Sequence, residues 1–335
     1  MDYKKLSFKS GLEIHAQIDS HKLFCNCPSI LRQDPPDGSI RRELRPLAGE
    51  TGEIDIAALY ERKKYKKYIY EYYSDTNCEL EIDECPPYPI NQEALTVALT
   101  VAKLLHCNFP DTIQVMRKTV IDGSNTSGFQ RTVLVGMDGW LETTFGKVGI
   151  NYLILEEDAG RRVAEDKKSV TYRLDRLGIP MLEIVTAPDM KTPEQVVEVA
   201  RKIGLLVRAT GKAMRGIGTV RQDVNVSIKG HCRVEMKGVQ DLRLMQKYID
   251  TEIKRQQTSK DEVPHVRNVK PDFTSKYLRP LPGAARMYPE TDIPLIHVTK
   301  ERLAKLKLPE THEEKLSKFK KLGLSDNLAK QLVTH

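Results

Sequence analysis

Glu13 and His15 stand two apart in a stretch whose apolar residues, Leu12, Ile14, Ala16 and Ile18, alternate with them. On a β-strand that spacing sends a carboxylate and an imidazole out from one face, where both can reach one cation. Further acids fall on or beside polar strand faces: Glu156, Glu157 and Asp158, then Glu183 in PMLEIV, Asp223 in VRQDVNV and Glu235 in RVEMKG. Glu183 interrupts an otherwise apolar run from Ile179 to Val185, and a buried carboxylate is costly unless it is paired or bound to metal. One reading pairs such acids with Arg173, Arg176 or Arg221. The other is convergence. Carboxylates about 5 Å apart repel by ~3 kcal/mol at an effective dielectric near 20, so a group of them calls for a divalent ion. Carboxylates with one imidazole suit Mg2+ or Mn2+, and phosphate oxygens usually complete a Mg2+ shell. That composition points to phosphoryl transfer.

No GxxxxGK[ST] phosphate loop is present: Gly204 to Gly211 has the wrong spacing, and no Ser or Thr follows Lys212. The segment 117–132, RKTVIDGSNTSGFQRT, is dense in small and hydrogen-bonding residues. Gly123, Ser124, Asn125 and Gly128 let a backbone approach a phosphate, with Gln130 beside them and Lys118 and Arg131 to neutralise charge. A surface turn would have much the same composition. Cys25 and Cys27 form a CxC, with Cys78 and Cys85 further on. Four thiolates can hold a structural zinc, but the CxxC spacing is absent and free thiols are the alternative. Nothing resembles an amide-hydrolysing site: there is no nucleophile elbow, and Cys232 follows His231 directly, which on a strand puts them on opposite faces.

The elements that must position these groups are mostly strands. The alternation at Leu12–Ile18 returns in Val220, Gln222, Val224, Val226, Ile228 and in Val170, Tyr172, Leu174. Such period-2 patterning predicts strands with one buried and one polar face, hence a largely antiparallel sheet. Helices punctuate it. Thr192-Pro193-Glu194-Gln195 predicts an N-cap, a proline at the first position and a capping-box Gln, followed by Val196, Val199, Ala200, Ile203 and Val207 at helical spacing. Asn91 opens a second helix and a third runs near 240–257. The polar, proline-bearing segment 256–282 predicts a long loop or linker. From about 299 the chain becomes Lys-rich with short amphipathic helices, Pro309 and Ser325 marking their starts. The expected class is α+β: a β-rich domain over 1–297, then the beginning of a small helical domain over 298–335.

With 53 basic against 46 acidic residues, 335 in all, the net charge of +7 suits a polyanionic partner, although it is spread along the chain. No apolar stretch approaches the roughly 20 residues needed to span a membrane. The N-terminus, MDYKKLSFKSGLEIH, has no secretory apolar core. The expected location is the cytoplasm, with no membrane partner and with the six cysteines reduced.

Seven motifs in order carry a resemblance: GLEIH at 11–15, KLFCNCPS at 22–29, VIDGSNTSGFQRT at 120–132, LEEDAG at 155–160, YRLDRLGIPMLEIV at 172–185, GIGTVRQDVNVSIKG at 216–230 and RMYPETDIP at 286–294. Together they resemble the B/E subunits of glutamyl-tRNA(Gln) amidotransferases, and RLDRLGIP, FQRT and LPGAARMYPETDIP look like the archaeal form. The resemblance implies a kinase or "cradle" domain that uses ATP and Mg2+ (or Mn2+) to phosphorylate glutamate on glutamyl-tRNA(Gln), which ammonia then amidates. It implies His15, Glu157 and Glu183 as metal ligands, with Glu13, Asp223 and Glu235 around that ion or a second one. Arg221 and Arg286 are the candidates for stabilising phosphoryl charge. An asparaginase-like amidotransferase component of the D type, in a heterotetramer, is the implied source of ammonia. The rival reading is a non-catalytic tRNA-binding subunit whose acids only form ion pairs; Glu183 in its apolar strand argues against it. Two departures from the family pattern stand out: only 256–282 replaces its synthetase-like insertion, and its tail lies outside these residues.

Overall fold

The computed structural model describes all residues except 65, 260, 262, 284, 285 and 335, and only the backbone of 330, 333 and 334. The alternation around Glu13 becomes strand β1 (Lys9–Gln17), followed by β2 (Gly38–Arg42), helix α1 (Ile56–Arg62) and β3 (Lys67–Tyr72). Asn91 opens α2 (Gln92–Leu104) as expected. Its side chain accepts from the N–H groups of Glu93 and Ala94, satisfying two of the donors a helix start leaves without partners. Short β4 (Thr112–Ile113) and β5 (Met116–Thr119) lead into a long hairpin of β6 (Phe129–Thr143) and β7 (Gly146–Glu157). Then come β8 (Arg161–Glu165), β9 (Ser169–Arg173) and β10 (Pro180–Thr186). Helix α3 (Pro193–Ala209) starts on Thr192, whose hydroxyl accepts from Gln195 N. The reciprocal capping-box bond does not form: Gln195 Oε1 accepts from Lys191 N at 2.6 Å, one residue before the cap.

Beyond it lie β11 (Val220–Ser227), β12 (Val234–Lys237), α4 (Leu242–Thr258), β13 (His265–Val269) and β14 (Ser275–Pro280). The expected loop over 256–282 is therefore not one. It contains the end of α4 and two strands that form one edge of the main sheet. The chain continues with β15 (Met287–Pro289), β16 (Ile296–His297), α5 (Lys300–Ala304), α6 (His312–Lys321) and α7 (Asp326–Thr334). The start signals in this Lys-rich stretch hold. Thr311 and Glu314 form a capping box two residues after Pro309, and Ser325 Oγ accepts from Leu328 N. No helix among the described residues is long and apolar enough to cross a membrane.

Ten strands make one sheet in the order β14-β13-β12-β11-β1-β10-β7-β6-β5-β15. Every neighbouring pair is antiparallel except β12 and β13. That pair is parallel because α4 supplies the crossover between its strands. A four-stranded sheet, β2-β3-β9-β8, packs its own small core around Tyr68, Tyr70 and Tyr172. The large sheet has two unlike faces. Leu12, Ile14, Val224, Val226, Leu182, Ile184, Leu153 and Leu155 point to one of them and are fully buried, where α3 packs on β1, α2 on β6 and β7, and α4 on β11. Each such side chain contributes about 1.5–3 kcal/mol when taken out of water, so this face fixes the register. The opposite face is thereby left to polar side chains.

Candidate active site

Strand register carries the polar face across the sheet. On β1, Glu13 pairs with Asp223 of β11, and His15 lies between Arg221 of β11 and Glu183 of β10. Glu235 of β12 faces Asn225, and Glu156 of β7 lies between Met181 of β10 and Thr132 of β6. Lys118 of β5 faces Gln130 of β6. Paired residues project from the same side of a sheet, so these groups line one cavity of about 640 Å³. Within it, ligand atoms of His15, Glu156 and Glu183 all lie within 4.8 Å of one another, and so do those of Glu13, Asp223 and Glu235.

The charge balance separates the two groups. In the first, the Lys118 ammonium bonds Glu156 and reaches Glu183 at 3.4 Å, while His15 Nε2 lies 3.8 Å from Glu183. Burial pushes the Glu156 carboxyl up to about 7, with Lys118 opposing and Glu183 reinforcing. Burial acts the same way on Glu183, but Lys118 and His15 outweigh it and hold that carboxyl at about 2. For His15, burial outweighs Glu183 and lowers the pKa, which favours the neutral imidazole, its ligand form. In the second group Lys237 bonds Asp223 and lies 2.8 Å from Glu235. Burial, then Glu235 and Glu183, push Glu13 up to about 7. In each group two acids share a single ammonium. A carboxylate–imidazole set such as His15, Glu156 and Glu183 fits a hard divalent cation.

The cavity also holds guanidinium groups. Arg221 and Arg176 are taken up by Asp158, at 3.0 and 3.8 Å. Arg221, expected to meet phosphoryl charge, is therefore already committed to a carboxylate. Arg233, Arg279 and Arg286 line the same cavity, yet form no salt bridge or side-chain hydrogen bond with the described residues. They are free to meet an anion. Ser124 and Gln130 also line the cavity; they reach it from the 120–128 loop and the start of β6.

Three expected site residues lie elsewhere. Glu157, next to Glu156, projects through the other side of the sheet, where its carboxylate accepts from Arg131 N at 3.0 Å. It is not part of the His15–Glu183 group, because successive strand residues alternate faces; Glu156 takes its place. Arg131 shares that side, bonded through Nε to Glu290 at 2.9 Å and lying 3.5 Å from Glu157. Asn125 lines the same small space behind the sheet. Neither Arg131 nor Asn125 reaches the acidic cavity.

The thiols converge, with one substitution. Cys25, Cys27 and Cys78 gather within 4.8 Å together with Glu81, whereas Cys85 packs against the apolar core. Hydrogen bonds from Cys25 and Cys27 hold the Cys78 thiol well below its ordinary range, which favours the thiolate, the metal-binding form. Glu81 also pairs with buried Lys22 at 3.0 Å. Sequence reasoning names Glu156 among the polar-face acids but gives the metal role to Glu157, and it passes over Glu81, Lys237, Arg233 and Arg279. Lys237 and Arg233 carry a sequence signal, since both flank Glu235 at strand spacing.

Comparison with known proteins gives a consistent result. A family model described as the GatB/GatE catalytic domain matches residues 8–304. The E subunit of glutamyl-tRNA(Gln) amidotransferase from Methanocaldococcus jannaschii is 39% identical, covering 99% of this chain and 76% of its own length. The protein of the same name from Methanococcus maripaludis strain C7 is 38% identical, covering 99% and 75%. That from Pyrobaculum neutrophilum is 51% identical over 257 residues, 76% of this chain and 42% of its own. The M. jannaschii alignment runs to 476 positions against 335 residues here, so at least 141 of them face a gap in this chain.

Proposed function

Because the chain belongs to the GatB/GatE catalytic domain family, we propose that it is the activating subunit of a tRNA-dependent amidotransferase. It uses ATP to phosphorylate the side-chain carboxylate of glutamate esterified to tRNA(Gln), after which ammonia displaces phosphate to leave the amide. The observation behind this is the make-up of one cavity: two acid groups, each with a single ammonium, and three guanidiniums that have no partner among the described residues. An RNA-binding surface needs the cations and not the buried acids; phosphoryl transfer needs both. A divalent ion held by His15, Glu156 and Glu183 would neutralise phosphate oxygens and polarise the transferring group. The chain's own residues do the rest. Lys118 holds Glu156 and Glu183 together. Arg233, Arg279 and Arg286 bind and orient phosphate charge, and Lys237 keeps Asp223 and Glu235 apart from it.

The ammonia comes, on this reading, from an asparaginase-like partner protein, the source that the family resemblance implies. Cys25, Cys27, Cys78 and Glu81 are proposed to hold a structural zinc, a set of soft thiolates closed by one carboxylate. The test of the main proposal is direct. With ATP, Mg2+, glutamyl-tRNA(Gln) and ammonium at low ionic strength, where RNA contacts are strongest, the chain should form glutaminyl-tRNA and hydrolyse ATP in a tRNA-stimulated manner. With glutamine or asparagine as the nitrogen source it should form none. No ATP turnover under the first condition would overturn the activating role, and product under the second would reveal an amidase site within the chain.

A further inference from the structure

At one end of the acidic cavity a single carboxylate meets two guanidiniums. Asp158 follows the last residue of β7, is 2% exposed, and lines the cavity together with Arg176 and Arg221. Backbone and side chain both fix its place. Its N–H donates to Ile179 O at 2.7 Å, and its carbonyl accepts from Gly178 N at 2.9 Å. One carboxylate oxygen accepts from Gln17 Nε2 at 2.6 Å; the other accepts from Ala159 N at 2.8 Å and Arg221 Nη2 at 3.0 Å. Arg176 lies 3.8 Å away and is tied through Nε to Ala159 O and through Nη2 to Gly160 O. Arg221 uses Nη2 alone, on Asp158 and on Met181 Sδ. Its Nε and Nη1, like Nη1 of Arg176, have no partner among the described residues.

Behind the sheet an ion pair is made differently. There Arg117 grips Glu290 with two nitrogens, at 2.9 and 2.6 Å, the fork geometry that gives the strong form of such a pair. Asp158 takes Arg221 end-on through one nitrogen, and one carboxylate between two guanidiniums leaves a positive charge without a paired acid. That charge has a defined place. Arg221 of β11 is the register partner of His15 on β1, whose other partner is Glu183 of β10. It therefore stands on the same face as those two groups, immediately beside them. We propose that Asp158 is a positioning residue for phosphoryl transfer: it aims Arg221, with Arg176 beside it, so that their unused N–H groups meet the oxygens of the moving phosphoryl group. This rests on the phosphoryl-transfer reading above. In that step the bond from the terminal phosphorus to the bridging oxygen of ATP breaks, its electron pair leaving with ADP. A carboxylate oxygen of glutamate bonds to the same phosphorus. Charge is then spread over the three remaining phosphoryl oxygens, and a guanidinium held in advance meets it without reorganising.

The test compares kcat and KM for amidation, with ATP, Mg2+, glutamyl-tRNA(Gln) and ammonium, in the wild type, Asp158→Asn, Arg221→Ala, Arg221→Lys and the double variant Asp158→Asn/Arg221→Ala. Asp158→Asn should lower kcat by about thirtyfold and Arg221→Ala by about a hundredfold, the scale of one oriented donor. KM for ATP and for tRNA should stay within about threefold. The double variant should be no slower than Arg221→Ala, because Asp158 acts through that arginine. Arg221→Lys should also be slow, since an ammonium bonded to Asp158 has no second arm to offer. Millimolar guanidinium should speed Arg221→Ala by about tenfold, and urea, which has the shape without the charge, should not. The double variant should gain from neither. Additive losses in the double variant, or full kcat in Asp158→Asn or Arg221→Lys, would overturn the proposal while phosphoryl transfer stands. If Asp158→Asn does not fold, Arg221→Lys and the guanidinium arm decide it alone. If the wild type hydrolyses no ATP, the phosphoryl-transfer reading falls first and this inference with it.

Discussion

Glu156 and Glu157 are neighbours in the chain and nearly equal in burial, yet their surroundings differ in kind. Behind the sheet, Glu157 and Glu290 face Arg131 and Arg117: Glu290 takes two bonds from Arg117 and one from Arg131, and Glu157 takes the Arg131 N–H and the rest of its charge. The two buried acids meet two guanidiniums, one of which, Arg117, also reaches the exposed Asp292 at 3.3 Å. In front, Glu156 and Glu183 share one lysine, and Asp223 and Glu235 share another, with Glu13 beside them. There the acids outnumber the cations in direct contact, while three arginines lining the same cavity pair with none of the described residues. Burial alone does not distinguish an acid that ties the fold together from one that waits for a ligand. Unbalanced pairing does, because separated opposite charges that could have paired are costly and persist only where something else is to be bound.

The largest expected effect divides these two regions. Glu156→Gln and Glu183→Gln should each lower ATP-dependent amidation by about a hundredfold or more, the scale of losing a charge needed in the transition state. Relief of repulsion should leave their melting temperatures unchanged or raised. Glu157→Gln should do the reverse, costing about 2 kcal/mol of stability by weakening a buried ion pair while amidation stays within about threefold. Activity assays and thermal denaturation on the three variants decide it. Loss of activity in Glu157→Gln with full stability would move the metal set back across the sheet.

A second expectation compares thiols. Zinc analysis of protein purified without chelator should give close to one ion per chain, lost in Cys78→Ser and retained in Cys85→Ser. A content below about 0.2 in the wild type would leave the thiols free. Retention of the ion in Cys78→Ser would show that Cys78 is not one of its ligands.

Much of the front face was legible because its strands alternate cleanly. Leu12, Ile14 and Ala16 against Glu13 and His15, or Val224 and Val226 against Asp223, leave parity in no doubt. Parity failed at Tyr152-Leu153-Ile154-Leu155, where both faces are apolar, so choosing between Glu156 and Glu157 needed the register of β7 against β10. The thiol group misled for another reason. Its fourth member is brought in by the turn around Asp83, at φ 59°, and is a carboxylate, invisible to a search for cysteine spacing. The strands β13 and β14 were hidden because they form the sheet's edge: half-exposed and rich in Lys and Arg, they satisfy their backbones by pairing without an apolar signature. Lys237 and the unpaired arginines could not be told from ordinary surface charge until their neighbours were known.

The finest test concerns Glu13, where the front face shows its imbalance as a dependence of stability on pH. Burial, then Glu235 and Glu183, place its carboxyl at about 7 in the folded chain, against an ordinary 4.5. The folded state therefore holds its proton more tightly than the unfolded state does. Stability from this group is fully present below about pH 4.5, declines as pH rises, and is gone above about pH 7, where the fold carries an ionised Glu13 among like charges. Glu13→Gln, which cannot ionise, should match the wild type near pH 4.5 and exceed it at pH 8 by on the order of 2 kcal/mol. Urea unfolding of both chains at the two pH values, in chelator so that no divalent ion masks the repulsion, measures this. If the two chains respond identically to pH, Lys237 alone balances the second acid group. In that event the front and back of the sheet would differ in one acid group and not in two.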